Sequence, residues 1–140
     1  MRLVLDTNVV VAAMRNPLGA SAILLGLART GRLQLLASTA LCVEYEAVCS
    51  RPEHRLAARA SPGEIAMFLD AVVDLVEPVY VWFLWRPQLR DPGDEMVLEA
   101  AANGRADAIA TFNSRDFGPA QDRFGISVLT PRDVLERIAP

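Results

Sequence analysis

The chain contains no lysine at all; its 14 basic residues are every one arginine. Exclusive arginine suits bidentate phosphate contacts and equally reflects the base composition of a coding genome. Histidine occurs once, as His54 in the polar run Arg51-Pro52-Glu53-His54-Arg55. With no second His or Cys beside it, it reads as a surface residue and argues against zinc chemistry. The two cysteines, Cys42 and Cys49, fall on one expected helix with no Cys-x-x-Cys anywhere. They read as small buried side chains, not a disulfide. No apolar run approaches the ~20 residues that a membrane span needs, and the opening residues lack the long apolar segment and cleavage site of a signal peptide. Both absences point to the cytoplasm. There is no Ser-His or Cys-His nucleophile pair, no Gly-rich phosphate loop and no dinucleotide fingerprint. A formal net charge of -3 excludes a uniformly basic, nucleic-acid-coating protein.

What remains is a globular composition, 52% hydrophobic and 22% charged, with enough residues to bury a real core. No repeat, low-complexity segment or long linker divides the sequence, so residues 1–140 are expected to form one domain. Leu3 to Leu5 is an apolar run too short for a helix and suited to a strand buried on both faces. Helices are expected at Thr7 to Met14 and Ala20 to Ala28, separated by Asn16-Pro17-Leu18-Gly19. Leu33 to Ala37 reads as a second strand, with Ser38 or Thr39 capping a helix from Ala40 to Cys49 that Arg51-Pro52 ends. Ser61-Pro62-Gly63-Glu64 opens another helix, with Ile65, Phe68, Leu69, Val72 and Val73 at helical spacing. The β-branched and aromatic run Val79 to Trp85 predicts a buried strand. Asp91-Pro92-Gly93-Asp94 starts a helix closed by Asn103-Gly104, and Ala106 to Thr111 is the next strand. Phe112 to Pro119 reads as a loop, Ile126 to Leu129 as a last strand, and Thr130 as the cap of a closing helix through Ile138. Strands alternating with helices imply an α/β fold with a mainly parallel sheet covered on both faces.

Acids stand where strands end or helices begin at Asp6, at Asp91/Asp94/Glu95 and at Asp116, and Glu44 lies inside a helix. Asp6, following the first strand, sits at the carboxyl edge, where open α/β sheets place ligands; Asp6 or Thr7 would equally cap the next helix. Asp94 repeats the cap-Pro-x-acid form of Ser61 to Glu64 and Thr130 to Asp133, which by itself says only that a helix starts. Glu44 shares a helical face with Ala40, Leu41, Ala47 and Val48, so it either faces inward and requires a cation or turns out to solvent. If Asp6, Glu44, Asp94 and Asp116 converge, the carboxylates repel one another unless a hard cation joins them. Oxygen-only ligation suits Mg²⁺ or Mn²⁺, which activates water for attack on a phosphodiester. The Asn8 and Asn113 amides and the Thr7 and Ser114 hydroxyls are placed to orient ligands or water.

Leu5-Asp6-Thr7-Asn8-Val9, Glu44-Tyr45-Glu46-Ala47-Val48, Arg90 to Glu95 with Leu98 and Ala101, and Ala106 to Phe117 together resemble the PIN-domain family. The resemblance runs over nearly the whole chain. It implies a three-layer α/β/α metal-dependent ribonuclease, of the kind that serves as a VapC-type toxin in small single-domain bacterial members. It assigns Asp6, Glu44, Asp94 and Asp116 as catalytic, metal-binding acids. Asn113 stands where many members have Asp. Asp91 is a supporting acid or only the helix cap, and Asp107 starts its strand. The implied partners are an RNA substrate, an antitoxin that covers the acidic site and a second copy of the chain, with no membrane. Two rival readings carry different chemistry: a catalytically weak PIN-like module that binds RNA or a partner, and a metal phosphohydrolase for small phosphoesters.

Overall fold

In the computed structural model, residues 1–84 and 86–139 are described. The chain begins with β1 (Arg2–Leu5), α1 (Thr7–Arg15), α2 (Ala20–Arg29) and β2 (Gln34–Ala37). It continues through α3 (Thr39–Cys49), α4 (Pro52–Ala58), α5 (Pro62–Leu75) and β3 (Val76–Pro78). The second half holds α6 (Pro92–Asn103), β4 (Ala108–Ala110), a 3-10 turn (Ser114–Phe117), α7 (Gly118–Phe124), β5 (Ser127–Leu129) and α8 (Pro131–Ile138).

The sheet order is β3-β2-β1-β4-β5, and every pairing is parallel. Successive strand residues point to opposite faces, yet Leu3, Val4 and Leu5 are all buried, as are Leu35 to Ala37 and Ala108 to Ala110. Both faces are therefore covered by helices, which gives the three-layer α/β/α architecture expected from the pattern. Chain order runs outward from β1 in both directions: β2 and β3 to one side, β4 and β5 to the other. The crevice between the carboxyl ends of β1 and β4 is thus the point where the winding reverses. Asp6 follows β1 and Thr111 follows β4, so both arrive at this crevice.

Three elements differ from the sequence expectation. The strand expected at Val79 to Trp85 lies instead at Val76–Pro78, directly after α5. Its ladder ends because its only neighbour, β2, ends at Ala37, opposite Pro78; Val79 N–H still donates to Ala37 O at 2.9 Å. Pro78 is tolerated because β3 is an edge strand. Beyond it, Tyr80, Trp82, Phe83 and Leu84 are exposed, not buried; Trp85 lies outside the described residues. The Asn103 amide holds this segment in the ladder's stead, with Oδ1 accepting from Trp82 N and Phe83 N and Nδ2 donating to Phe83 O. Second, Pro52 does not merely stop α3; it is the first residue of α4, where its missing N–H is harmless. His54 consequently has a side chain only 19% exposed and is not a simple surface residue. Third, the expected loop after Phe112 contains the 3-10 turn and leads into α7, anchored by fully buried Phe117.

Candidate functional site

Asp6 is 7% exposed, and its surroundings explain both its place and its chemistry. Its N–H donates to Ala110 O at 2.9 Å, extending the β1–β4 ladder to the crevice. Oδ1 accepts from Thr7 N at 2.8 Å, so Asp6 is itself the cap of α1. Oδ2 accepts from Thr111 Oγ1 at 2.7 Å. Each carboxylate oxygen has two acceptor sites; capping and the Thr111 bond use one apiece and leave one apiece for a ligand. The two sequence roles of Asp6 are therefore compatible, and Thr7 is not needed as the cap. Burial pushes the Asp6 carboxyl above its ordinary pKa; the Thr111 and Thr7 bonds oppose this, and the charges of Asp116 and Asp91 reinforce it.

Asp94 lies in the first turn of α6. The Ser61 and Thr130 helix starts both form reciprocal capping boxes with their acids, Glu64 and Asp133. Here the cap is Asp91, whose Oδ1 accepts from Gly93 N at 2.7 Å, and Asp94 is left out of the exchange. Its half-buried carboxyl is pushed up to about 6, first by burial and then by the charges of Asp6, Asp91, Asp116 and Glu95. Asp116 stands exposed on the 3-10 turn, next to buried Phe117, with its N–H on Asn113 O at 3.0 Å. Asp6, Asp91, Asp94 and Asp116 thus converge closely enough to feel one another, and none forms an ion pair among the described residues.

Glu44 joins this group less closely. It is half-buried on α3 and lines a cleft with Thr7, Asn8 and Asp91, but its charge is not among those that shift Asp6 or Asp94. The Tyr45 hydroxyl, donating to Leu5 O, locks α3 against the end of β1 and sets where Glu44 stands. Asn113 and Ser114 are exposed; the Asn113 N–H donates to Thr111 Oγ1 at 3.0 Å, which ties the turn to the same hydroxyl that holds Asp6. Among the described residues, no three acidic, His or Cys side chains stand close enough to enclose a metal ion unaided.

Two buried acids of α6 have structural work. Glu95 Oε1 accepts from Gln88 N at 2.6 Å and Leu89 N at 2.8 Å. Glu99 receives a two-pronged bond from Arg86, at 3.0 and 2.7 Å. Together they pin the stretch from Arg86 that delivers Arg90 and Asp91 to the site. Glu95 therefore leaves the acid group in which the sequence placed it. Asp107 is at the opposite, amino edge, accepting from Arg2 N at 2.7 Å, as its strand-starting role requires. Thr111 is the residue that sequence reasoning passed over. The signal was available: as the last residue of a strand run, it is a hydroxyl delivered to the carboxyl edge.

The acids are hard oxygen donors, crowded, partly desolvated and in no ion pair with any described cation. That donor set fits a divalent metal ion, held by one or two carboxylates directly with water completing its shell. Comparison with known families matches the PIN domain over residues 2–115. The matched span includes Asp6, Glu44, Asp91, Asp94 and Asn113 and stops one residue before Asp116. Neither curated proteins nor solved structures gave a match.

Proposed function

The chain belongs to the PIN-domain family, whose members are generally nucleases that use divalent metal ions, and from that premise we propose that it is a Mg²⁺- or Mn²⁺-dependent endoribonuclease. The observation that carries this reading is that Asp91 and Asp116 stand near enough to Asp6 and Asp94 at the switch crevice to raise both carboxyls, with no ion pair to any of the four among the described residues. Asp6 and Asp94 are the residues to hold the ion, with Asp116 and Glu44 reaching it directly or through water. When bound, the ion supplies a Lewis acid for a phosphoryl oxygen and an activated water for in-line hydrolysis. The chain's own residues do the rest. Thr111 and the α1 amide hold Asp6 in one rotamer. Asp91 caps α6 and keeps a charge beside Asp94. Asn8, Asn113 and Ser114 present amides and a hydroxyl at the rim for water or substrate oxygens.

In the cell this activity would be the toxin half of a cytoplasmic toxin–antitoxin pair, with residues 1–140 acting as one unit and as a homodimer. An antitoxin would silence it by placing a basic side chain among the uncompensated acids. The deciding experiment follows cleavage of single-stranded RNA with Mn²⁺, Mg²⁺ or chelator, for the wild type and Asp6→Asn. Metal-dependent cleavage lost in Asp6→Asn supports the assignment; equal activity of the two proteins, or cleavage in chelator, refutes it.

A second reading has its own support. The exposed Asn113, and acids too far apart to cage an ion unaided, suit a module that binds RNA or a partner with little turnover. A melting temperature unmoved by Mn²⁺, together with RNA binding, would select it.

A further inference from the structure

Two clefts flank the acid centre, and Asp91 lines both. One runs along α1, α3 and α4 and is bounded by Asn8, Arg15, Glu44, Arg51, His54 and Phe112 over an apolar floor that includes Val11 and Val48. The other is bounded by Arg90, Asp94, Arg115, Asp116 and Pro119. Each side therefore offers two arginines, and none of the four forms an ion pair among the described residues. The clefts differ in what stands between the arginines. Among the described residues the second has no aromatic side chain. The first has Phe112, a ring 51% exposed on an otherwise polar rim, with the Asn8 amide and the His54 imidazole close by in the same lining. Two enclosed atoms of these residues, Asn8 Oδ1 and His54 Nδ1, have no hydrogen-bond partner among the described residues. Rotation of an amide or imidazole about its last torsion exchanges such an atom with the opposite edge, and the edge of a nucleobase carries both donors and acceptors to meet it.

An apolar floor, one accessible ring, amide and imidazole edges and unpaired guanidinium groups are the elements with which proteins hold an unstacked nucleotide. We propose that the cleft between α1, α3 and α4 is the base-recognition subsite for single-stranded RNA, adjacent to the bond being cut. Phe112 is its stacking platform, and Arg15 and Arg51 hold the flanking phosphates. The Arg90–Arg115 side, with no aromatic ring among the described residues, holds backbone alone. Sequence preference is thereby carried on one side of the acid centre. This inference rests on the nuclease reading for its substrate, but the residues it tests, Phe112 and Arg51, are not among the metal-holding acids and are tested without metal.

The experiment is fluorescence anisotropy with a labelled single-stranded RNA of mixed sequence in chelator, across a salt series. The variants are Phe112→Ala and Arg51→Ala, with Arg132→Ala, at an exposed side chain of α8, as the charge control. Phe112 is half-exposed, and Arg51 makes no side-chain capping bond, so neither change should unfold the protein; melting temperature checks this. Loss of a stacked base is expected to weaken binding by about 5- to 100-fold in Phe112→Ala. Arg51→Ala should lower the slope of log affinity against log salt by about 0.7, and Arg132→Ala should match the wild type. Folded Phe112→Ala and Arg51→Ala proteins that bind like the wild type overturn the subsite, even where Asp6-dependent cleavage stands. Weakened binding in these variants without any Asp6-dependent cleavage sustains the subsite and overturns the nuclease reading instead. A wild type that binds no RNA overturns the subsite outright.

Discussion

Helix α6 carries acids of two kinds within three turns. Glu95 and Glu99 are buried at 4% and 5% exposure, and each meets donors: two backbone amides for one, the Arg86 guanidinium for the other. Asp94, one residue before Glu95, forms no ion pair among the described residues, and burial, reinforced by neighbouring carboxylates, raises its pKa to about 6. A buried acid with donors is a fastening, because removing it strands the donors. An acid crowded by acids is an instability that persists where something outside the chain relieves it. The same helix thus fastens the Arg86–Asp91 segment with one pair of acids and delivers another acid to the sheet edge.

The comparison can be broken most decisively at Asp6, the acid that is both buried and crowded. Asp6→Asn keeps an acceptor for the Thr7 amide, so melting temperature should change little while metal-dependent cleavage falls by at least about 100-fold. A comparable loss of stability would instead place Asp6 among the fastenings. Thr111→Val tests the group that orients Asp6. It should lower activity by about 10- to 100-fold and weaken metal binding in a calorimetric titration, since Asp6 Oδ2 loses its only described donor. Glu95→Ala probes the other kind of acid. Two amide N–H groups lose their acceptor, and urea unfolding should report a loss of about 1–3 kcal/mol; an unchanged midpoint would show that solvent reaches them.

The smallest expected effect is on pH dependence, and it belongs to Asp94. Asp94 has a folded pKa raised to about 6, against about 3.9 when unfolded. Between those values the native state binds more protons than the unfolded state, so the charge penalty is complete above about pH 6 and is relieved as pH falls toward 4. Metal-free protein should therefore gain stability from this group on mild acidification, and Asp94→Asn should flatten that part of the thermal-melt profile. A profile identical in both proteins would deny that burial and neighbouring acids raise the Asp94 carboxyl.

Much of the fold could be read locally. The β1 run Leu3 to Leu5, the Ser61 and Thr130 helix starts and the parallel α/β class all follow from periods and caps that act within a few residues. That Asp6 follows the carboxyl end of β1 was legible too, because a strand end is a local feature. Three things were not legible. The Val79–Trp85 run had every mark of a strand except a neighbour, and β2 is too short to provide one. Arg51-Pro52 marked a stop and a start at once. Asp91-Pro92-Gly93-Asp94 looked like the two capping boxes and turned out not to be one, because Asp91 turned to Gly93.

The sequence by itself determined the element types, their order and the set of acids available, since propensity, capping and hydrophobic period are properties of short stretches. Which acids are fastened and which are left crowded was decided by tertiary structure alone. Arg86 reaches Glu99 across 13 positions and Thr111 reaches Asp6 across 105. A carboxylate's charge state and availability depend on donors and charges within a few ångströms, and only the folded sheet brings those from such distances.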